Sequence, residues 1–333
     1  MNWEPIKQLQ QRFKLNAPVV TAPFALPTTV VEIQPDFVAG LRLAGPPRRG
    51  RGASQRLRGI GVASLNPDTV VPLANGPNIA DPVDLARALQ AIAGTLGNGT
   101  TRFGLLVPDG AVRVSLLSFE TLPENRKQAY ALMRWRMRET LPFPLEEGRI
   151  SHQVVVREAE RIEVLTVVAK ASVLAEYERA LEQVYGAPAL LLPATLALLP
   201  LLSETEERGQ LLVHLCSGSI TSAVTAGKRL RLWRTRQLGR LDSSEMCRQV
   251  QAESARVMAS CRDHLKLEIS QVWLCVRPRG GSEFRVELSQ ALHHPVELLE
   301  PDPDLATTFT SEDRNLFGSF GAPAAGLVRN TLQ

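Results

Sequence analysis

The sequence predicts an α/β fold in two lobes. Three observations carry that expectation. A strand–strand–strand–helix pattern that starts near residue 28 starts again near residue 210. The apolar runs between these points are short and bounded by proline, glycine and polar turn residues. The length, 333 residues, suits two domains of ordinary size. Hydrophobic residues make up 44% and charged residues 22%, which excludes wholesale disorder. A chain this long can bury roughly three quarters of its unfolded surface, so its stability requires no disulfide or metal staple.

The elements follow in order. Residues 1–15 place Trp3, Ile6, Leu9 and Phe13 at helical spacing and predict a short amphipathic helix. Residues 16–27 contain Pro18, Pro23 and Pro27 and read as a linker. Thr28–Gln34 and Phe37–Ala44 are β-branched or apolar runs around a turn at Gln34-Pro35-Asp36, and Arg58–Leu65 is a third strand. Asp81 and Pro82 suit the start of a helix over Asp81–Gly97. Strands at Thr101–Pro108 and Val112–Phe119 precede a helix at Glu124–Thr140, stopped by Pro142 and Pro144. Ser151–Arg157 and Glu163–Ala169 pair as strands. Ser172–Tyr185 is a helix ending at Gly186, and Ala194–Leu202 is an apolar helix.

The pattern then repeats. Gln210–Leu215, Ser219–Ala226 and Arg229–Arg236 are strands with tight turns. Ser243 or Ser244 caps a long helix to about Ile269, and strands follow at Gln271–Val276 and Val296–Leu299. Gly321–Arg329 reads as a small-residue loop feeding a short helix. A β-β-β-α opening in both halves is the bilobed actin/hexokinase architecture, in which a ligand sits between lobes. The boundaries expected are an extension at 1–27, a first lobe at 28–205 with an inserted subdomain at about 112–158, and a second, reduced lobe at 206–333.

Composition narrows the chemistry. Cys216, Cys247, Cys261 and Cys275 form no C-x-x-C pair, which points to a reducing compartment and gives no zinc spacing. The five histidines show no metal-ligating spacing. No apolar run reaches the roughly 18 residues that span a bilayer, and the N-terminus lacks the pattern of a secretory signal. A net charge of +4 and the lack of interleaved aromatics in the basic run Arg48–Arg58 argue against nucleic acid. That run and the 1–15 helix are candidates for contact with an anionic membrane surface, against the simpler readings of a solvated loop and a packed helix. Arg134-Trp135-Arg136-Met137-Arg138 surrounds an aromatic with arginines, and core packing by Met133 and Met137 is the plainer account.

Several segments resemble the PilM family of actin-like type IV pilus assembly proteins. The strand block Leu106-Val107-Pro108 with Val112, then Leu122-Pro123, then Glu139-Thr140-Leu141-Pro142-Phe143 follow the family order. So do Val164–Lys170, the helix to Tyr185-Gly186, the run Pro193–Leu198, and the ending Ala322-Pro323-Ala324-Ala325-Gly326-Leu327. The match covers about residues 28–330, and the Leu-Pro-Phe block is its most specific piece.

The departures fall on the phosphate loops. Where the family has D-I-G-S-S-S, this chain has Glu32-Ile33-Gln34-Pro35-Asp36-Phe37; Gln34 adds a side chain and Pro35 removes a backbone donor. The second loop is His214-Leu215-Cys216-Ser217-Gly218-Ser219, with a histidine in place of the magnesium-ordering aspartate. Leu238-Gly239-Arg240-Leu241 runs almost directly into the next helix, where the family inserts a subdomain. The resemblance therefore implies a scaffold whose nucleotide site is degenerate, with Glu32, Gln34, Asp36, His214, Ser217, Gly218, Ser219 and Gly326 as its remnants. ATP and magnesium are expected only if that site still works.

The family also implies partners. These are the N-terminal tail of a PilN-like bitopic membrane protein, a motor ATPase of the PilB/PilT type, and contact with the cytoplasmic face of the inner membrane; a homodimer stays open. The tail would lie in a groove walled by Val112, Val114, Leu116, Tyr130, Trp135, Leu141 and Phe143. No catalytic residue is assigned. A working actin-like ATPase and a GspL-like type II secretion component remain the alternatives, and a sugar kinase is disfavoured by the altered loops.

Overall fold

The computed structural model describes residues 27–44, 57–96, 103–158, 161–182, 184–202, 208–227, 229–278 and 281–329. The 1–15 helix, nearly all of the 16–27 linker and most of the arginine-rich run lie outside the described residues.

The first lobe is built on strands β1 (Thr29–Ile33), β2 (Phe37–Leu43), β3 (Leu57–Ser64), β4 (Phe103–Val107) and β8 (Leu190–Pro193), in the order β3-β2-β1-β4-β8. The second uses β9 (Gly209–Cys216), β10 (Ser219–Ala226), β11 (Arg229–Gln237), β12 (Ile269–Arg277) and β13 (Val296–Leu298), in the order β11-β10-β9-β12-β13. Both sheets join an antiparallel hairpin to parallel strands in the same way, so the internal repeat read from the sequence is a structural duplication. β1, β4 and β9 are buried at every position, which is why they read as unbroken apolar runs rather than alternating ones.

Helices cover both faces of the first sheet. Helix α1 (Pro82–Leu96) and helix α3 (Ala171–Glu182) set Leu85, Leu89, Ile92, Val173 and Tyr177 against Val31, Ile33 and Leu105. Helix α7 (Ser311–Phe320) and helix α8 (Ala322–Arg329) set Phe317, Ala325 and Leu327 against Val30, Leu41 and Leu106. The second sheet packs one face on α5 (Ser243–Ser260) and α6 (Ser282–Leu292) through Val250, Val257 and Leu288. Its other face meets the first lobe: Leu212, Ala223, Leu230 and Cys275 lie against Leu165, Leu196 and Leu198, the last two from α4 (Ala194–Leu198).

The insert is a three-stranded antiparallel sheet, β5-β7-β6, of β5 (Arg113–Phe119), β6 (Gly148–Glu158) and β7 (Arg161–Lys170). The sheet thus continues to Lys170, past the expected boundary near 158. Alternation splits its side chains. Leu117, Ile162, Val164 and Val168 pack under Met133, Met137 and Phe143, the methionines belonging to α2 (Arg126–Met137). Val114, Leu116, Leu165 and Val167 face the second lobe and Trp233.

Several boundaries differ from the sequence reading for local reasons. Asp242, not Ser243 or Ser244, caps α5, its Oδ1 accepting the Glu245 N–H at 2.9 Å. That helix stops at Ser260, passes through one π-turn at Cys261–Leu265 and leaves through left-handed Lys266 (φ 51°), so Ile269 begins a strand. Helix α2 is shorter than Glu124–Thr140 because Asn125 caps it, accepting from Lys127 N at 2.9 Å. Pro200 sits in a 3-10 turn, Leu199–Leu201, that ends the apolar helix after Leu198. Between β11 and α5 only residues 238–242 intervene, so no subdomain follows the second hairpin.

Gly326 lies where α8 crosses α4, and a Cβ there would stand 2.0 Å from the Ala197 carbonyl oxygen. Such backbone contact cannot relax without parting the helices. Gly326→Ala is expected to cost about 2 kcal/mol, a fall in Tm of roughly 4 °C by calorimetry; an unchanged Tm would mean the crossing is looser than described.

Candidate functional site

The carboxyl ends of β1, β4 and β8 meet the carboxyl ends of β9 and β12 between the lobes. Open α/β sheets bind ligands at such ends, because loops and unpaired backbone collect there. The side chains gathered here are Glu32, Asp109, Thr195, His214 and Arg277, all buried.

Arg277, the last residue of β12, reaches from the second lobe into the first. Its Nη1 donates to Glu32 Oε2 at 2.7 Å and its Nη2 to Glu32 Oε1 at 2.5 Å, a bidentate pair. Gln34 Nε2 donates to the same carboxylate at 2.7 Å. The guanidinium also lies over the Phe37 ring, 5.7 Å from its centroid. Its remaining face donates from Nε to His214 Nε2 at 3.1 Å.

That last bond fixes the histidine tautomer. With Nε2 accepting, the neutral ring carries its proton on Nδ1, which faces Thr195 Oγ1 at 2.6 Å. Thr195 Oγ1 in turn donates to Asp109 Oδ2, and its backbone N–H donates to Oδ1 at 3.1 Å. Thr221 Oγ1 donates to Asp109 Oδ2 at 2.8 Å. Behind it, Thr235 Oγ1 lies 3.1 Å from Thr221 Oγ1, and Trp233 Nε1 donates to Thr235 Oγ1 at 3.1 Å. One connected network therefore runs from the first phosphate-loop position, across the lobes, to the indole that packs on the insert.

Electrostatics agree with this geometry. Burial pushes the His214 pKa down and Arg277 adds to the effect, against the opposing pull of Asp109, so the ring is neutral. Burial alone would raise Asp109; the His214 ring 3.7 Å away and the hydrogen bonds from Thr195 outweigh it and hold the carboxyl below its usual value, ionised. Burial alone would lower Arg277, but the Glu32 carboxylate more than reverses this and keeps it charged. Cys216 and Cys275 beside the cluster are pushed by burial up to about 12 and about 11, so both thiols are inert at neutral pH.

These residues do not fit a magnesium-triphosphate. The guanidinium that would attract phosphate is engaged by Glu32 and His214. The buried carboxylate of Asp109, held by neutral donors, would repel the anion. In the first loop the Gln34 N–H is used on Phe37 O at 2.9 Å, and Pro35 has none. The second loop has tightened to a two-residue turn, Ser217 (φ 48°) and Gly218 (φ 71°), closed over by Leu238 and Gly239, whose N–H groups donate to Gly218 O at 2.8 and 3.1 Å. A Cβ on Gly218 would fall 2.6 Å from Gly239 O, so the glycine serves this contact. The cavity lined by Leu274, Cys275, Arg277, Leu298 and Glu300 holds about 20 Å³, and one beside Glu32, Gly40 and Phe320 holds about 10 Å³. Ligand pockets run to roughly 300–1,000 Å³, so these admit at most a water. No group of His, Cys, Asp or Glu among the described residues has metal-binding geometry.

Of the remnants expected from the sequence, Glu32, Gln34 and His214 come together. Asp36 is exposed on its turn, Ser217, Gly218 and Ser219 form the second turn, and Gly326 serves helix packing. The groove candidates distribute over both faces of the insert. Val112 and Phe143 are buried, Val114 and Leu116 face the second lobe, Leu141 packs under the insert, and Tyr130 lies against His152, ring centroids 6.1 Å apart. Trp135 alone of the seven is exposed, at 64%, beside Arg134, Arg136 and Arg138. Sequence reasoning missed Asp109, Thr195 and Arg277 as site residues. Asp109 had a signal, the Pro-Asp-Gly after a buried strand. Arg277 had only its place at the end of an apolar run.

The chain is similar in structure to the PilM-PilN type IV pilus biogenesis complex, with TM-score 0.75, 19% identity, and coverage of 93% of this chain and all (100%) of that one. A Bacteroides thetaiotaomicron protein with an actin-like ATPase fold matches at TM-score 0.46 and 10% identity, over 82% of this chain and 91% of that one. The cytoplasmic domain of EpsL, an inner membrane component of the Vibrio cholerae type II secretion system, matches at 0.44 and 10%, over 79% and 93%. No family model matches the chain, and no curated protein matches it in sequence. The fold is the actin-like one expected. No helix among the described residues is long and apolar enough to cross a membrane.

The neutral His214 sets a pH dependence. Its folded pKa lies below the unfolded value near 6.5, so below about pH 6.5 the unfolded chain binds a proton that the fold excludes. Stability should be complete above that pH and fall as pH drops, by at most ~1.4 kcal/mol per unit for this group. His152, also held down by burial, adds to the same window. Denaturant melts between pH 7.5 and 5 should show a slope that His214→Gln reduces; equal slopes would contradict a neutral, buried His214.

Proposed function

We propose that this chain is a scaffold of a type IV pilus or related secretion machine, working at the cytoplasmic face of the inner membrane. It binds the N-terminal tail of a PilN-like membrane protein and couples it to the motor ATPase. Binding, not turnover, is its chemistry, and nucleotide plays no part. The observation that carries this reading is the likeness to a PilM-PilN complex along nearly the whole chain, insert included, together with a cleft filled by its own side chains.

The insert supplies what a tail peptide needs. Among the described residues strand β5 is at the sheet edge, paired with β7, so backbone hydrogen bonding is available for an added strand. Trp135 offers a large exposed anchor flanked by Arg134, Arg136 and Arg138, the residue types that concentrate binding energy.

Calorimetric titration with a synthetic N-terminal tail peptide of a PilN-like protein should give one-to-one binding with Kd on the order of 1 μM. Trp135→Ala should weaken it about tenfold, by about 1.4 kcal/mol. Millimolar ATP with magnesium should give no binding heat. Absence of peptide binding together with ATP turnover would replace the scaffold with an actin-like ATPase.

A further inference from the structure

The cluster between the lobes is not a worn remnant. Its parts come from elements far apart in sequence, residues 32, 109, 195, 214 and 277, and almost every polar atom has a partner of matching sense. Arg277 presents all three of its nitrogens to acceptors: two to Glu32 and one to His214. Glu32 receives a third donor from Gln34, at a position where a phosphate-binding loop needs glycine. His214 stands where a magnesium-ordering acid is expected and instead passes hydrogen bonds from Arg277 toward Thr195 and Asp109. The substitutions that remove a nucleotide site are the ones that build this network.

We propose that the Arg277–Glu32 pair is an internal substitute for the interlobe ligand, clamping the two lobes in the closed arrangement without nucleotide. In an actin-like fold a bound ligand bridges the lobes. Here the positive group comes from β12 of the second lobe and the negative group from β1 of the first. The closed state is then a permanent property of the chain. The clamp extends to the insert through His214, Thr195, Asp109, Thr221, Thr235 and Trp233, whose indole packs near Val114 and Leu116. The surface offered to a partner is thereby held in one geometry. This inference rests on the nucleotide-free reading of the cleft and is independent of who the partner is.

The charge pair has the properties a clamp requires. Buried and bidentate, it is insulated from salt. Removing one member leaves the other charge buried and alone, which drives the cleft to open and hydrate. Removing both relieves that drive. The signature of a clamp is thus an interlobe separation that responds to either single substitution and less to the pair.

Distance measurement by paired spin labels reads this directly. The four native cysteines are buried, so labels attach selectively to Val83→Cys in α1 and Val286→Cys in α6, exposed at 78% and 48% on separate lobes. The parent protein should give one narrow distance distribution, unchanged by millimolar ATP and magnesium. Arg277→Met and Glu32→Gln should each broaden it toward longer distances, and the double variant should return most of the way. Arg277→Lys, which keeps the charge but loses the fork, should give an intermediate distribution and serves if Arg277→Met does not fold. A parent distribution that shifts with nucleotide would overturn the nucleotide-free reading. Single variants that lose thermal stability yet keep the parent distance would overturn the clamp and leave that reading intact.

Discussion

The structure depends on one buried contact, the guanidinium of Arg277 seated on the carboxylate of Glu32. Taking two charges out of water costs several kcal/mol each, and geometry must offset it. Here the offset comes from two parallel N–H···O bonds, a third donor from Gln34, the Phe37 ring and the acceptor nitrogen of His214. The pair could form only because the strand ends of two lobes face each other. It in turn fixes how they face, since a shift of either strand by about an ångström would leave the charges buried and unpaired.

That contact sits where the duplicated architecture concentrates its polar backbone. Each lobe repeats one strand order, and each delivers the carboxyl ends of its parallel strands to the same gap. Folds of this kind keep a ligand there. This chain has filled the gap with residues from five of those ends, while its apolar interface, from Leu165 and Leu196 to Leu212 and Leu230, seals the flank. The insert lies between helix α2 and the second lobe, so its two faces are already used. What it leaves to solvent is the outer side of α2, with Trp135, and the edges of a short sheet.

Much of this was legible in the sequence. The repeat of three antiparallel strands, the Asp81 cap and the turns at Gln34–Asp36 and Ser217-Gly218 are local signals, and local hydrogen bonding obeys them. The departures from a phosphate loop at Gln34, Pro35 and His214 are local signals of the same kind. The network built there was not legible. Arg277 pairs with a residue 245 positions away, and no periodicity links strands from different lobes. Helices α6 and α7 were also missed, since Ser282–Leu292 and Ser311–Phe320 bury few residues each and show weak apolar stripes. The end of α5 was misplaced because its apolar spacing continues through a π-turn that only left-handed Lys266 terminates.

The central claim, that the chain's own guanidinium permanently occupies the interlobe site, is tested most directly by nitrogen-15 NMR of the arginine side chains. Arg277 Nε–H and Nη–H protons held by Glu32 and His214 should give resolved signals that exchange slowly with water and do not move when millimolar ATP and magnesium are added. Rapid exchange of those protons, or their displacement by nucleotide, would contradict it.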